Sequence, residues 1–371
     1  MAEPTKHEGV TGAPVGDAPQ LFRPGAFGIV FFSRGRGRGH AVPDMAIGEE
    51  LTRRLTCLDI RYVSYSGGAE AFRSCGYDVL DIQMPDEPPF LDAIIVQTRI
   101  VGYLRPKLVV AHEEFAALVA ASVFEIPCVF ITDFFQDPKS VLMGAMEYAS
   151  EIVFTAEEGV FTEPPFIADR LHYVGPAVRR FEYGRADRGR SRQELGIPPD
   201  ATVVLCQPGN WPESQVPIAQ LLIAAWDALP YPCKRLIWLA WRDFESLRSQ
   251  LDGRRGIEVV KEDWKIDRLI VASDLVITKS NRLTVYEAAS FGVPSISISS
   301  GANWPDDVAV ARVPSNSALH ARAVTPEALA RLMVEKIADG WLPENEVPKW
   351  SGVEGASQRI AGLVERLSGG S

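Results

Sequence analysis

A glycine-rich segment with alternating arginines follows the first predicted strand. Residues 33–40 read Ser-Arg-Gly-Arg-Gly-Arg-Gly-His, and Pro43 stands near the start of the helix predicted after them. Glycines permit close backbone approach and a helix start offers free N–H groups, so this loop could hold a phosphate or a developing oxyanion. The candidates for that role are Gly35, Gly37, Arg38 and Gly39. The alternative is an ordinary strand-to-helix turn whose arginines face water.

Two side chains of the N-terminal half could act as a general base. His40 lies at the mouth of the predicted helix, where a neutral imidazole with a pKa of about 6.5 suits proton transfer from an attacking hydroxyl. Glu113, in a His-Glu-Glu run after the predicted strand 108–111, is the second candidate. Each has a simpler interpretation, because His40 could be a polar helix cap and Glu113 an acid at the positive end of a helix.

A second polar turn, at residues 279–283, separates the predicted strand 275–278 from the predicted helix 284–291. Gly292 and Pro294 end that helix before the next strand. The turn presents backbone N–H groups at the end of a buried strand, as an anion site requires. The spacing Thr284-x-x-Glu287 matches a capping box, in which Glu287 would bond to the backbone at the start of its own helix.

These motifs lie on an alternation of short β-rich runs and helix-like segments. The predicted strands are apolar enough to be buried on both faces, as a parallel sheet requires. Between the first two strands, Ile47, Leu51 and Leu55 recur at a spacing of four, which is typical of a helix that covers a sheet. The predicted strands are residues 29–33, 60–64, 79–82, 108–111, 128–132, 152–155 and 172–174 in the first half, and 202–206, 235–240, 257–260, 275–278 and 295–298 in the second.

A polar, arginine-rich stretch at residues 176–199 divides the two halves. We predict an α/β protein with two Rossmann-like, doubly wound domains that face each other across a cleft, where ligands bind at the carboxyl ends of the strands. The predicted segments are a flexible leader at residues 1–23, a first domain at 24–175, a second domain at 176–350, and a terminal helix with a tail at 351–371.

The overall composition excludes several classes of function. The 371 residues carry 38 Lys and Arg against 48 Asp and Glu, a net charge of −10, so nucleic acid is not an expected partner. Five cysteines and five histidines are dispersed without metal-ligand spacing, and neither a metal site nor a disulfide framework is expected. The leader lacks an apolar core and the longest apolar stretch, 115–131, is interrupted. We therefore expect a cytoplasmic protein.

Three segments resemble the signature motifs of GT-B fold glycosyltransferases of the family 28 type, which includes MurG and monogalactosyldiacylglycerol synthase, and of the UDP-glycosyltransferases. Residues 273–294 are similar to the donor-site pattern S-D-L-x-I-[ST]-[KR]-x-G-G-L-T-x-x-E-A-x-x-x-G-x-P. Residues 35–51 are similar to the N-terminal G-x-G-G-H-x-x-P loop, and residues 173–179 to the V-G-N-P-V-R linker. The resemblance covers roughly residues 26–340.

This resemblance implies a specific reaction. A hexosyl group would pass from a UDP-sugar, bound by the C-terminal domain, to an acceptor held by the N-terminal domain. The transfer would proceed with inversion and without a metal. The UDP-sugar would be a co-substrate and no cofactor is expected, since the first loop also lacks the dinucleotide-binding spacing. The acceptor class stays open among small molecules, lipids and glycans.

The resemblance also assigns donor-binding roles. Glu287 matches the acid that bonds both ribose hydroxyls, and Arg179 matches the linker arginine near the uracil. Some of the assigned residues also have a simpler interpretation. Arg179 could be a solvated linker charge, Ile266 a core residue, and Asp306 and Asp307 a helix N-cap pair. The other donor-binding candidates are Gly209 and Asn210 at the phosphates, Asp263 and Ile266 at the base, Ser280, Asn281, Arg282, Leu283 and Thr284 in the polar turn, and Asp306 and Asp307 at the sugar hydroxyls.

The sequence departs from the family at two glycine pairs. Asn281-Arg282 and Gln207-Pro208 stand where the family has Gly-Gly, so Arg282 could supply charge in place of a close backbone approach. Two further functions therefore stay open: a UDP-sugar hydrolase or epimerase on the same fold, and a non-catalytic nucleotide-sugar-binding module.

Residues 99–107 are the candidate for a weak peripheral contact with the inner membrane surface.

Overall fold

The computed structural model describes residues 22–135, 137, 139–156, 158–208, 216–299, 305–315, 317–321, 324–348 and 355–369. These residues form two parallel β-sheets. The first has the strand order β3-β2-β1-β4-β5-β6-β7 and the second the order β10-β9-β8-β11-β12-β13. The strands are β1 (Phe27–Ser33), β2 (Leu58–Ser64), β3 (Val79–Asp81), β4 (Leu108–His112), β5 (Cys128–Thr132), β6 (Glu151–Phe154), β7 (Leu171–Tyr173), β8 (Thr202–Cys206), β9 (Lys234–Leu239), β10 (Ile257–Val260), β11 (Leu275–Thr278), β12 (Ser295–Ile298) and β13 (Ala318–Ala321).

Helices connect the strands and cover both faces of each sheet. Short 3₁₀ turns add to them at Met146–Tyr148, Pro165–Arg170, Arg185–Asp187, Trp241–Asp243 and Glu344–Glu346. The helices are α1 (Ala41–Arg54), α2 (Ser66–Ser74), α3 (Phe90–Leu104), α4 (Phe115–Val123), α5 (Val141–Ala145), α6 (Arg188–Glu194), α7 (Val216–Asp227), α8 (Phe244–Leu251), α9 (Ile266–Ala272), α10 (Arg282–Phe291), α11 (Pro305–Val310), α12 (Pro326–Asp339) and α13 (Ala356–Gly369).

The central strand of each sheet shows why the apolar runs of the sequence form buried strands. Successive side chains of a strand point to opposite faces. In β1, Ile29 and Phe31 belong to one hydrophobic cluster, while Val30 and Phe32 belong to another on the other face. β8 divides its side chains in the same way between two clusters, with Val203 and Leu205 in one and Val204 and Cys206 in the other. Both sheets are thus sandwiched between helices, which confirms the predicted fold class.

The last helix returns to the first sheet. α13 follows the second sheet in the chain, yet its Ile360 and Val364 belong to the same buried cluster as Ile47 and Leu51 of α1. Strands β1–β7 lie within residues 24–175 and strands β8–β13 within 176–350, so α13 ties the end of the second half to the first.

Some elements differ from the expectation. The edge strand β13 was not predicted, because its four residues, Ala-Leu-His-Ala, carry little β-forming signal. The helix expected at 284–291 begins two residues earlier, at Arg282, and its N-cap is Asn281. Both Asn and Thr are favourable N-cap residues, so the local sequence offers two possible starts.

Candidate functional site

The carboxyl ends of the two sheets meet at a small cavity. The segments after β1, β4 and β5 approach it from the first sheet, and the start of α10 approaches it from the second. Its volume is only about 50 Å³, enough for a few water molecules but far below the roughly 300–1,000 Å³ of ordinary ligand pockets. The cleft is therefore narrow at this point, whereas a larger space of about 320 Å³ lies between Glu70 of the first half and Trp241 and Lys261 of the second. Residues that line the cavity include Gly39, Pro43, His112, Asp133, Arg282 and Leu283.

Arg282 closes the cleft by pairing with acids from both halves. Its Nη1 donates to the carbonyl of Asp133, which follows β5, at 2.7 Å, and Nη2 pairs with the Asp133 carboxylate. Nε lies 2.5 Å from Asp306 Oδ1 on α11. Burial works against the charged guanidinium, but the two carboxylates outweigh it and raise the pKa of Arg282. Arg282 stands where the family has the second glycine of its Gly-Gly pair, and in this conformation Asp133 and Asp306 neutralise its positive charge.

The aspartate pair of α11 has two different environments. Asp306 pairs with Arg282, and its side chain remains 41% exposed. Asp307 is 2% exposed and accepts hydrogen bonds from Ser280 Oγ and from Ser299 Oγ, the latter at 2.8 Å. Asp307 therefore holds the polar turn against α11. Ser280 adopts a left-handed backbone conformation with φ of 23°, which costs a non-glycine residue energy.

The start of α10 does not form the capping box. Asn281 is the N-cap, and its side chain accepts from Thr284 N at 3.5 Å. Thr284 is buried, and its Oγ1 has no hydrogen-bond partner among the described residues. The capping-box interpretation of Glu287 is therefore wrong, because the helix begins before Thr284. Leu283, the second residue of α10, lines the cavity.

Glu287 is instead bonded to the segment that joins the two halves. Its Oε1 accepts from Arg179 Nε at 2.5 Å, whereas its Oε2 is buried without a partner among the described residues. Burial raises the pKa of Glu287, and the Arg179 guanidinium partly offsets this shift. Arg179 is accordingly not a solvated linker charge, since its Nη1 also donates to the carbonyl of Trp264 at 3.0 Å.

Of the two residues assigned to the nucleobase, Asp263 lies in the turn before α9 and Ile266 is the first residue of that helix. Asp263 accepts from Lys265 N at 2.9 Å and from Arg268 Nη2 at 2.8 Å, so its carboxylate is used within the turn. Ile266 is 1% exposed and packs in the core of the second half. Their proposed roles would thus rest on backbone groups. Gly209 and Asn210, assigned to the phosphates, lie outside the described residues.

The glycine-rich loop is shaped by close packing. A Cβ on Gly35 would lie 2.3 Å from atoms of Tyr65, and Gly37 has a φ of 72°. Both positions therefore require glycine. Gly39 is exposed and lines the cavity, where its backbone is open to a ligand. The glycines thus let the loop pass close to the second half.

Arg38 of this loop makes contact across the cleft. Its guanidinium lies 4.5 Å from the ring centre of Trp241 and 4.4 Å from that of Trp264, and it pairs with Glu262 at 3.5 Å. These three partners all belong to the second half. By contrast, the guanidinium of Arg36 pairs at 2.9 Å with Glu87 of the first half.

Two histidines stand beside the loop. The rings of His40 and His112 meet edge to face with centres 4.8 Å apart. Burial, followed by the neighbouring His112 and nearby arginines, holds the pKa of His40 well below its usual range. His112 Nδ1 lies 2.8 Å from Asp44 Oδ1. Burial opposes protonation of His112, but Asp44 outweighs it, so the pKa of His112 is raised.

Glu113 is buried next to this pair. It is 2% exposed, accepts from Thr132 Oγ1 and from Asp133 N at 3.3 Å, and lies 3.7 Å from Arg34. Burial and the charge of Asp133 raise the pKa of Glu113 to about 7. Glu113 is not among the residues that line the cavity, whereas its neighbour His112 is.

Comparisons with known proteins agree on the fold. No family model matches the chain. An uncharacterized glycosyltransferase of Methanopyrus kandleri is 25% identical over 300 residues, which cover 76% of this chain and 83% of that protein. The crystal structure of Acinetobacter baumannii MurG matches 91% of this chain and 99% of its own with a TM-score of 0.61 and 15% identity. The chain has the GT-B fold.

The same GT-B fold also includes epimerases. The UDP-GlcNAc 2-epimerase from Neisseria meningitidis, bound to UDP-GlcNAc, matches 91% of this chain and 99% of its own with a TM-score of 0.65 and 15% identity. The resemblance to GT-B glycosyltransferases is therefore confirmed at the level of the fold, and the residues of the site must separate the possible reactions.

Several residues of this GT-B cleft were missed by the sequence analysis. Asp44 and Asp133 are single aspartates in α1 and after β5, and nothing in their local sequence distinguishes them from helix or turn acids. His112 was noticed only as a neighbour of Glu113. The available signal was its position at the carboxyl end of a buried strand, where GT-B ligands bind.

Other expectations concern metals and membranes. Within the described ranges, no group of three His, Cys, Asp or Glu side chains is placed to hold a metal ion. Among the same residues, no helix is long and apolar enough to cross a bilayer. The candidate membrane-contact segment, residues 99–107, includes the C-terminal end of α3. Along α3, Leu91, Ile95 and Tyr103 are 72%, 51% and 47% exposed.

Proposed function

We propose that this protein is a glycosyltransferase that moves a hexosyl group from a UDP-sugar to a hydroxyl of an acceptor, with inversion and without a metal. The donor would bind to the second half, and the acceptor to the first. The GT-B fold supports this proposal, as does the relative in Methanopyrus kandleri that is named as an uncharacterized glycosyltransferase.

The observation that carries the proposal is the state of Glu287. This carboxylate, on α10 of the second half, is entirely buried, with one oxygen on Arg179 and the other without a partner among the described residues. A buried, unpaired carboxylate oxygen is costly, so its retention needs an explanation. A ribose hydroxyl that donates to Glu287 Oε2 would supply the missing hydrogen bond, and Arg179 would offset part of the cost that burial imposes on the charged carboxylate.

Catalysis in this proposal comes from positioning and charge. The N–H groups at the start of α10 and the arginines of the cleft would stabilise the leaving diphosphate. His40 is the first general base that the sequence offers, and Glu113 is the second. The sugar hydroxyls would bond to Asp306, whose carboxylate is partly exposed, while Asp307 supports the turn.

Binding a nucleotide-sugar beside His112 and Arg282 requires the two halves to separate at this point. A cavity of about 50 Å³ cannot hold such a ligand, and the cross-cleft contacts of Arg38 and Arg282 must change. The guanidinium of Arg242, which pairs with Asp86 at 2.8 Å, makes a third such contact. The pair of Arg242 and Asp86 is largely exposed and adds little to the cost of separation, whereas the Arg282 side chain is only 11% exposed, so breaking its contacts costs more.

Calorimetry with UDP tests the proposal. We expect UDP to bind the wild type more tightly than GDP or TDP, and Glu287→Gln to weaken UDP binding by about tenfold or more, because a hydrogen bond to a charged group is lost. Glu258→Gln, which changes an exposed acid on β10, is the control and should bind as the wild type does. The proposal is wrong if UDP does not bind, or if Glu287→Gln binds it unchanged.

An epimerase or hydrolase is the second candidate, favoured by the GT-B neighbour from Neisseria meningitidis that is an epimerase. Incubation with UDP-GlcNAc alone separates the alternatives. Rapid release of UDP without an acceptor would indicate a hydrolase, and conversion of the sugar would indicate an epimerase. UDP binding with neither turnover nor transfer would indicate a nucleotide-sugar-binding module.

We also propose that α3 makes a weak contact with anionic membranes. Leu91, Ile95 and Tyr103 recur at a spacing of four or eight on one exposed face, and basic residues follow at Arg105 and Lys107. Ile95→Ser should lower flotation with phosphatidylglycerol vesicles. Val308→Ser, at an exposed apolar position of α11, should leave it unchanged. Equal flotation of the two variants would contradict this contact.

A further inference from the structure

His112 is a buried histidine at the carboxyl end of β4 that the sequence analysis left without a role. We propose that His112, oriented by Asp44, is the general base that takes the proton from the acceptor hydroxyl, in place of His40. This inference rests on the proposed function, because it supplies a catalytic group for that reaction. Geometry, burial and the position of the cavity each support it.

Asp44 fixes the imidazole of His112. Asp44 lies on α1 and is 0% exposed; its Oδ1 is 2.8 Å from His112 Nδ1, and its Oδ2 accepts from Ser33 Oγ. With both carboxylate oxygens in use, the aspartate holds the ring in one orientation. The neutral imidazole then carries its proton on Nδ1, and the lone pair remains on Nε2 at the opposite side of the ring.

The two histidines differ in their position relative to the cavity. His112 lines the closed cleft together with Arg282 and Leu283 from the start of α10, whereas His40 is not part of that lining. His40 also lacks an orienting carboxylate, because its Nδ1 is buried without a hydrogen-bond partner among the described residues. A base must be held within reach of the reacting hydroxyl, and His112 is the better placed of the two.

The surrounding charges make His112 the stronger base. Burial favours its neutral form, but the carboxylates near it raise its pKa, whereas the pKa of His40 falls. A raised pKa strengthens proton uptake from the hydroxyl. The titratable and charged groups that face His112 are Asp44 on α1, Glu113 beside it, Asp133 after β5, His40 in the loop and Arg282 on α10.

The step balances with these groups alone. Nε2 of His112 accepts the proton while the hydroxyl oxygen forms a bond to C1 of the sugar. The bond between C1 and the diphosphate oxygen breaks, and UDP leaves with that electron pair. The proton later passes from His112 to water, so the products are the glycoside, UDP and one proton.

Turnover of variants tests the role of His112. UDP release from UDP-GlcNAc and from UDP-glucose is measured from pH 5.5 to 9, with water and a panel of hydroxyl compounds as acceptors. We expect His112→Gln to lower kcat by about 100-fold or more and to leave UDP affinity within about twofold. His40→Gln should have a smaller effect. Turnover by His112→Gln within about threefold of the wild type would overturn the inference.

The pH profile separates a catalytic dyad from structural support. Because His112 must be deprotonated to act, kcat rises with pH to a plateau, and Asp44→Asn should move that rise to lower pH by removing the negative charge beside the ring. Glu258→Gln, which changes an exposed acid on β10 that does not face His112, is the control and should leave the rise where it is. An unmoved acid limb in Asp44→Asn would contradict the assignment.

A measurement on the ligand-free wild type keeps the test independent of turnover and of the folding of variants. In imidazole ¹⁵N NMR, the signal that disappears in His112→Gln should show a proton on Nδ1 and a pKa above 6.5. A proton on Nε2, or a lower pKa, would overturn the inference. Failure of the wild type to bind UDP in calorimetry would instead contradict the proposed function, so the two failures are distinguishable.

Discussion

Glu287 and Arg179, separated by 108 positions in the chain, share a hydrogen bond of 2.5 Å that connects α10 to the segment between the two halves. The carboxylate is entirely buried, and the arginine is 15% exposed. Removal of one partner from a buried pair usually costs more than the pair contributes, because the other charge is left without compensation. The pair therefore couples the stability of the fold to the proposed ribose site.

Loss of Arg179 should destabilise the protein. We expect Arg179→Met to lower the free energy of unfolding by about 3 kcal/mol, since Glu287 would be left buried without its partner. Arg180→Met is the matched control: its guanidinium is 63% exposed and pairs with Glu49 at 3.4 Å, so its loss should cost less than about 0.5 kcal/mol. Urea denaturation of the two variants gives both values.

A double variant checks the reason for this cost. In the Glu287→Gln background there is no buried charge to compensate, so Arg179→Met should cost clearly less than in the wild type. Equal costs in the two backgrounds would mean that Arg179 stabilises the protein through Trp264 or through packing, and not through Glu287.

Arg38 should hold the two halves together. Its stacking between Trp241 and Trp264 and its pairing with Glu262 all cross the cleft, and each cation–π contact contributes about 0.5–2 kcal/mol. Arg38→Ala should therefore increase the radius of gyration measured by small-angle X-ray scattering, because the closed arrangement is less favoured. A scattering curve identical to that of the wild type would show that other contacts keep the cleft closed.

The neighbouring Arg36 provides the control for this experiment. It lies in the same loop, two residues earlier, but its guanidinium pairs with Glu87 of the first half and not across the cleft. Arg36→Ala removes the same charge from the loop and should leave the radius of gyration unchanged. An equal increase in both variants would indicate a general effect of loop charge.

The fold was predictable because the same sequence pattern, the apolar run of a buried strand, recurs along the chain. Each strand of a doubly wound domain is an apolar run that must be buried on both faces, and β1 shows this by dividing Ile29 and Val30 between two clusters. β13 was not predicted, because its four residues are too few to form a recognisable apolar run. The start of α10 was misplaced because Asn281 and Thr284 both satisfy the rules for a helix cap.

The site was only partly predictable because its geometry depends on long-range pairing. Glu287 and Arg179 were found through motifs, but the contact between them is a property of the folded chain. His112 and Asp44 lie 68 residues apart, and no spacing rule connects them. The closure of the cleft by Arg282 and Asp133 joins residues 149 positions apart, which no local pattern encodes.

The last helix should stabilise the first half of the molecule. Ile360 of α13 is buried against α1, so Ile360→Ala should lower the free energy of unfolding by about 3 kcal/mol. In hydrogen-exchange mass spectrometry, α1 should lose protection, while α12 in the second half should not. Arg366→Ala, at an exposed position of α13, is the control. Faster exchange in α12 but not in α1 would contradict the assignment of α13 to the first half.

Glu113 should give the protein a stability that declines with increasing pH. Its pKa is raised from an ordinary value of about 4.5 to about 7 by burial and by Asp133. Between these values the folded protein retains a proton that the unfolded chain has lost, so the free energy of unfolding falls as pH rises, by roughly 3 kcal/mol in all.

Replacement of Glu113 by glutamine isolates this contribution. Glu113→Gln cannot ionise, so its stability relative to the wild type should increase from pH 4.5 to pH 8 and then level off, whatever other groups titrate in both proteins. Thermal unfolding of the pair at matched pH values measures the difference. A constant difference over this range would show that Glu113 keeps an ordinary pKa, and its charged carboxylate would then be available at neutral pH as the alternative base.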